Sequence, residues 1–391
     1  MRLKTFVILT AVTAVVAVAA IIVESGTSST TRVTAGEKLF PDLASALGGV
    51  ARIEVAEHDK SFTVMRNGDA WTLRERGGYR VDPDVVKRVL TALVEMETVE
   101  AKTDKPASYP RLQVEDVAAK DAKSLQIILK NAGGKDLARL LVGKPRESRT
   151  GAAADRLYVR RPGEAQSWLV KSTLAVDKDP VRWLDRKIVD IGRDRVSRVT
   201  TVQPDGARLV IAKDKPGEDG KFALQGALPA GMKAKSAGDL GAPAGALASL
   251  EFDDVKPVAD IEFGKKPVGV AEYRTVDGLV ISVKMSEVDG NVWGLVSASV
   301  DEASRVAPAE PAKPDAAKKD ETAKPGDDKA AADKKAADEK KAPAVKSLDE
   351  VKKEAAAITA RVQGWAYKLP SFAVRSFQSK MADMVEKEKS S

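Results

Sequence analysis

Two stretches of this chain present the same patterns in the same order, and that order constrains the fold more than any other feature. In the first stretch, residues 51–55 (ARIEV) and 61–65 (SFTVM) alternate as strands do, around a turn at His58-Asp59. Residues 71–73 (WTL) continue the alternation after Asn67-Gly68-Asp69, a hairpin signal. Asp82-Pro83-Asp84 then sets a capping residue ahead of a proline at the first helical position. Val85, Val86, Val89, Leu90 and Leu93 recur on one face, which predicts an amphipathic helix over 83–97. In the second stretch, 196–202 (VSRVTTV), 207–211 (ARLVI) and 221–224 (KFAL) stand where the three strands stood. A weaker helical segment, 237–250, stands where the helix did, and the helix exits 93–99 (LVEMETV) and 247–255 (LASLEFDDV) also correspond. The match lies in pattern more than in identity, as an old internal duplication would leave it.

Each stretch is completed by further strand-like runs. In the first they are 125–130, 138–142, 156–160 and 167–170, with turns marked by Gly133-Gly134 and Pro162-Gly163. Asp179-Pro180 caps a short helix carrying Trp183 and Leu184. In the second they are 269–273, 279–284 and 292–297. Antiparallel hairpins with one helix per repeat predict an α+β class rather than an alternating βαβ fold. The expected modules span 38–194 and 195–302.

Residues 6–23 (FVILTAVTAVVAVAAIIV) form an uncharged apolar run. At about 1.5 Å per residue it spans about 27 Å as a helix, close to a bilayer core. Arg2 and Lys4, in the short segment 1–5, precede it and Glu24 follows, so the expected topology is a single-pass anchor with the N-terminus cytoplasmic and the body outside. The alternative is a cleaved signal peptide with Ala17-Val18-Ala19 as its cleavage site. The continuation through Ile21, Ile22 and Val23 favours the anchor, and both readings export the body. Residues 24–37 are small and polar, a tether.

Residues 303–346 consist almost wholly of Ala, Lys, Asp, Glu and Pro, and predict a disordered or partly helical linker with nearly balanced charge. Order is expected again over 347–391. Ser347 and Glu350 have capping-box spacing for a helix over 348–363. GWAYKLP (364–370) breaks that helix, and 371–387 reads as another, with Phe372, Val374, Phe377, Met381 and Met384 apolar. Trp365, Tyr367, Phe372 and Phe377 are expected to bury as this C-terminal cap packs back on a module.

The chain offers little reactive chemistry. It has no cysteine, which excludes disulfides, thiolate nucleophiles, Cys-ligated zinc and a lipidated anchor. Its one histidine, His58, lies between Glu57 and Asp59; adjacent turn residues do not converge on a metal. Walker A, G-x-G-x-x-G and G-x-S-x-G motifs are absent. Asp253-Asp254 could be half of a catalytic carboxylate pair, against the plainer reading of a turn or solvated pair. Trp71, Trp168, Trp183, Trp293 and Trp365 could stack on sugars if exposed, but each sits within an apolar pattern that points to packing. Arg160-Arg161, with Arg146 and Arg149 upstream, could face anionic glycan or lipid headgroups; a solvated hairpin tip is the simpler reading. The net charge is +7 but the signs are interspersed, with no basic stripe for nucleic acid. No residue is singled out as catalytic, cofactor-binding or metal-ligating.

Several stretches together resemble the DUF4340 family of membrane-anchored bacterial proteins. They are Phe40-Pro41-Asp42-Leu43, GDAWTLRERGGYRVDPDVVKRVLTALVEMETVEAKTD (68–104), LYVRRPGEAQSWLV (157–170), DPVRWLD (179–185) and GWAYKLP (364–370). The resemblance implies association with a gliding-motility-type ABC transporter and brings no established catalytic or ligand residues. The expected function is therefore a non-catalytic accessory subunit in the bacterial inner membrane, its body periplasmic, partnered by a permease and its ATPase. The alternatives are an envelope-polymer binding module and a hydrolase with an unrecognised carboxylate site.

Overall fold

The computed structural model describes residues 36–146, 155–215, 220–305 and 345–388. The apolar run 6–23, the segment 1–5, most of the 24–37 tether, most of the 303–346 segment and Arg149 lie outside these residues. Among the described residues no helix is long and apolar enough to cross a membrane. The elements form a mixed α+β fold, with mostly antiparallel sheets and few helices. The chain divides into two compact units. One takes the described residues up to Trp71 with Pro83–Lys178; the other takes Thr72–Asp82 with the described residues from Asp179 onward.

The first unit is built on one sheet. Strands β1 (Val50–Ala56) and β2 (Ser61–Asn67) form a hairpin, and β3 (Ala70–Leu73) leads into residues 72–82, which with β4 (Tyr79–Arg80) belong to the second unit. Helix α1 (Pro83–Val94) ends three residues short of the expected 83–97 and buries Val86, Val89 and Leu93 of the expected face together with Ala92, while Val85 and Leu90 are half-buried. It is followed by β5 (Glu97–Ala101), β6 (Leu125–Asn131), β7 (Asp136–Pro145), β8 (Arg156–Arg160) and β9 (Ser167–Lys171). The strand order is β3-β2-β1-β6-β7-β8-β9-β5. Alternation places two apolar rows across this sheet. Val64, Ile53, Leu129 and Ala138 pair in register, as do Phe62, Val55, Ile127 and Leu140, and all eight are buried.

The second unit repeats the plan. After the short pair β10 (Lys187–Val189) come β11 (Val196–Val202), β12 (Arg208–Lys213) and β13 (Phe222–Leu224). Then follow β14 (Met232–Ala234), β15 (Leu250–Glu251, paired with β10) and β16 (Asp254–Pro257). The long strands β17 (Pro267–Thr275), β18 (Leu279–Val288) and β19 (Asn291–Val300) complete the run before the 303–346 segment. Asp289 and Gly290 join β18 to β19 with φ of 52° and 72°, the pair of positive φ angles a tight two-residue hairpin turn requires. The sheet order is β13-β12-β11-β17-β18-β19-β20-β16, where β20 is Trp365–Lys368. Strand for strand this is the order of the first sheet. Even the irregularity recurs: the β1–β6 register shifts between Val50 and Arg52, and the β11–β17 register between Val196 and Arg198. The buried row Ile211, Val199, Tyr273, Ile281 occupies the positions of Val64, Ile53, Leu129, Ala138.

The C-terminal segment corrects three expectations. GWAYKLP is more than a helix breaker, because Trp365–Lys368 is a sheet strand between β16 and β19. Its counterpart in the first sheet is Ser167–Lys171, so SWLVK and GWAYK are equivalent, with Lys171 opposite Glu97 and Lys368 opposite Asp254. Gly294 leaves room for Leu369, whose Cδ1 would lie 2.7 Å from any added Cβ. The stretch 371–387 divides into α3 (Ser371–Phe377), a single turn at Met381–Asp383, and β21 (Val385–Lys387), which pairs with β14. The apolar spacing suits a helix, but the Lys380 amide donates to the Asp383 carboxylate at 2.8 Å and starts a new turn, after which strand pairing prevails. Phe372 is 65% exposed, against the expectation of burial, because the short α3 buries Ala373 and Phe377 and turns Phe372 to solvent. Likewise the helix expected over 237–250 breaks into Ala237–Leu240 and the 3-10 turn Pro243–Leu247, since Pro243 has no N–H to give.

Helix α2 (Leu348–Val362) begins with the predicted capping box: Ser347 Oγ accepts from the Glu350 amide at 3.3 Å, and the Glu350 carboxylate accepts from the Ser347 amide at 2.8 Å. Immediately before it, the two ends of the 303–346 segment meet. Arg305 donates from Nη2 to the Lys346 carbonyl at 2.9 Å and from Nε to the Asp277 carbonyl at 3.0 Å. A loop closed at its base contributes little to the fold through its length, because closure entropy grows only logarithmically. Replacing residues 308–342 by a short Gly-Ser joint is expected to shift the melting temperature of the second unit by less than about 4 °C, which corresponds to about 1–2 kcal/mol in a unit of about 200 residues. Thermal unfolding by circular dichroism measures it, and a larger loss would mean that the segment packs on the body.

Candidate functional site

In the first unit, the connection from β5 to β6 folds against the β8–β9 hairpin and leaves a cleft of about 610 Å³ between them. Pro106–Ser108 forms a 3-10 turn and Tyr109–Leu112 a short helix, ended by Gln113 at φ 60°. Tyr109 is buried and donates from its hydroxyl to the Ala165 carbonyl at 2.7 Å. Arg160 is the staple that holds the two segments together. It is only 3% exposed and donates to the Val114 carbonyl (2.9 Å), the Glu164 carbonyl (3.0 Å) and the Asp116 carboxylate (2.7 Å). Its guanidinium lies 4.4 Å from the Tyr109 ring centroid, a cation–π contact that planar Arg makes well.

The charge on the cleft walls is unbalanced. Glu115, Asp116, Asp121 and Glu164 line it against Arg160 and Lys120, and Pro106, Tyr109 and Pro110 supply apolar surface. Arg160 is already engaged with Asp116 and two carbonyls. Glu115 is 9% exposed, and its Oε2 is shielded from solvent with no hydrogen-bond partner among the described residues. Its main chain is fixed from the other side, where Ser124 Oγ donates to the Glu115 carbonyl at 2.6 Å. A buried carboxylate oxygen with no donor is costly to the fold.

The residues weighed from the sequence fall elsewhere, apart from Arg160. His58 is exposed, its Nδ1 3.1 Å from the Val117 carbonyl. Glu57 pairs with Lys178 at 2.6 Å, Asp59 is exposed, and no group of three or more metal-ligating side chains gathers among the described residues. Asp253 is exposed, while Asp254 accepts from Arg76 Nε at 2.7 Å. Trp183 and Trp293 are buried; Trp71, Trp168 and Trp365 are half-buried. Arg160 is corrected from a solvated tip to a buried staple. Arg161 donates to the Leu39 carbonyl and to Glu164, and Arg146 is exposed. Glu115 went unnoticed in the sequence because it sits in an aperiodic connection; its only local signal is the turn-rich Tyr109-Pro110 just upstream.

A family model described as a domain of unknown function (DUF4340) matches residues 71–268. That span holds the whole cleft and runs from within β3 into β17. No curated protein matches the chain.

Proposed function

We propose a binding role, without turnover of its own, for this chain, which belongs to the DUF4340 family. In this reading residues 6–23 anchor it in the bacterial inner membrane and the body stands in the periplasm as an accessory subunit of an ABC-type transporter. The permease is met laterally in the membrane and from its outer face, and the ATPase through the permease. The observation that carries the reading is the duplicated sheet. Two copies of one strand order, each with long hairpins and sheet edges, offer loops and edges for contacts with a partner. Asp254 is paired with Arg76 and Asp116 with Arg160, which suits a scaffold.

Affinity purification of the full chain in mild detergent is expected to recover a permease and its cytoplasmic ATPase. Recovery of the anchored protein alone, under conditions that keep transporter complexes intact, would overturn the proposal. The half-exposed Trp71 and Trp168 favour a second reading, an envelope-glycan binding module using ring stacking. Retention on peptidoglycan with no permease recovered would select it.

A further inference from the structure

We propose that the cleft beside Arg160 binds a primary ammonium group on an aliphatic stem, seated on Glu115. Three observations carry this. Glu115 is more than nine-tenths buried, lines the cleft and keeps an oxygen with no donor among the described residues. Four carboxylates face two basic side chains there, and the buried one of those two, Arg160, is already committed to Asp116 and to the Val114 and Glu164 carbonyls. Pro106, Pro110 and the Tyr109 ring give methylenes an apolar wall. A cation is therefore favoured and an anion opposed. An ammonium supplies three donors in a compact head, fitting a carboxylate that lacks one. A bare metal ion is a poor match, since no three ligating side chains gather among the described residues. The cleft, about 610 Å³, falls in the range of small-molecule sites and is ample for a lysine-like side chain. The site lies within the first unit, and its occupancy does not depend on any transporter partner.

The experiment is calorimetric titration of the full chain with 1,5-diaminopentane, with Nα-acetyl-lysine methylamide and with hexanoate, alongside amide chemical-shift mapping. Saturable binding of either amine at about millimolar concentration or below is expected, with shifts at Tyr109 and Ala165 and no binding of hexanoate. The two amines separate a free diamine from a lysyl side chain as the source. Glu115→Gln is expected to weaken binding at least tenfold, whereas Asp121→Asn, at the exposed rim, should change it less than threefold. Pro110→Lys, which adds a cation at the rim and leaves the buried carboxylate untouched, should also abolish binding and serves if Glu115→Gln fails to fold. No saturable amine binding, equal binding by Glu115→Gln, or equal losses from Glu115→Gln and Asp121→Asn would overturn the proposal.

Discussion

Arg195→Met is expected to destabilise the second unit by about 3–5 kcal/mol at pH 7, the range for removing one partner of a buried ion pair. Arg195 Nε donates to Asp277 at 2.8 Å, while Nη1 and Nη2 form a fork on Glu354 at 2.7 and 2.6 Å. The Asp277 side chain is only 2% exposed and that of Arg195 13%, so the variant would strand a carboxylate away from water. Lys346, at 3.0 Å from Glu354, holds one acid in part but does not reach Asp277. Burial pushes both carboxyls up, but the Arg195 hydrogen bonds outweigh it and hold both below their ordinary values. Folded values below unfolded ones mean that this stability is present above the ordinary carboxylate range and is lost as pH falls through the folded values. In Arg195→Met the balance reverses: burial without the guanidinium raises the Asp277 value, so acid relieves the variant while it weakens the parent. Urea unfolding at pH 7 and near pH 4 should therefore show the gap between the two proteins narrowing with acid. A gap that is constant or widens would mean that the three groups are not coupled as described.

Tyr367→Ala is expected to cost about 3–5 kcal/mol, and to lower the melting temperature of the second unit by about 6–15 °C. Tyr367 is fully buried on β20, opposite Val255 on one side and Gly294 on the other. Its ring stacks on Phe252 with centroids 5.4 Å apart and meets Tyr79 edge-on at 6.2 Å. The truncation empties a space walled by these rings and loosens the strand that β16 and β19 share. Phe372→Ala, five residues on and 65% exposed, is the control, and should change stability by no more than about 0.5 kcal/mol. Calorimetry of both variants decides the matter. Equal small effects would remove β20 from the sheet, and a large Phe372→Ala effect would mean that this ring is covered in the working protein.

Most of the long elements were legible in the sequence because their information is local. The strands at 156–160 and 196–202 coincide with β8 and β11, and α2 starts at the capping box that Ser347 and Glu350 spell out. What escaped is what only a distant partner decides. β5, β16, β20 and β21 are three to five residues long, too short for periodicity to register, and each becomes a strand because another edge receives it. The duplication was visible in β1–β3 against β11–β13, but the kinship of SWLVK and GWAYK was hidden by the long segment between β19 and β20. The site was less legible than the fold. Arg160 looked like a hairpin-tip charge, and only the folding of residues 106–124 over it brings together the oxygens that bury it.

The position of β20 has a consequence for biosynthesis. The first sheet's strands all lie before residue 172, so that sheet can close while most of the chain is still being made. The second cannot. After β19 is synthesised, the ribosome must add the 64 residues from 301 to 364 before the strand that covers it emerges. At about 5–20 residues per second that interval is about 3–13 s, with the Val292–Gly294 end of β19's outer edge unpaired throughout. An open edge of this kind templates pairing with other chains. Nascent second units are thus the stage at which a holding chaperone matters most to the yield of this protein.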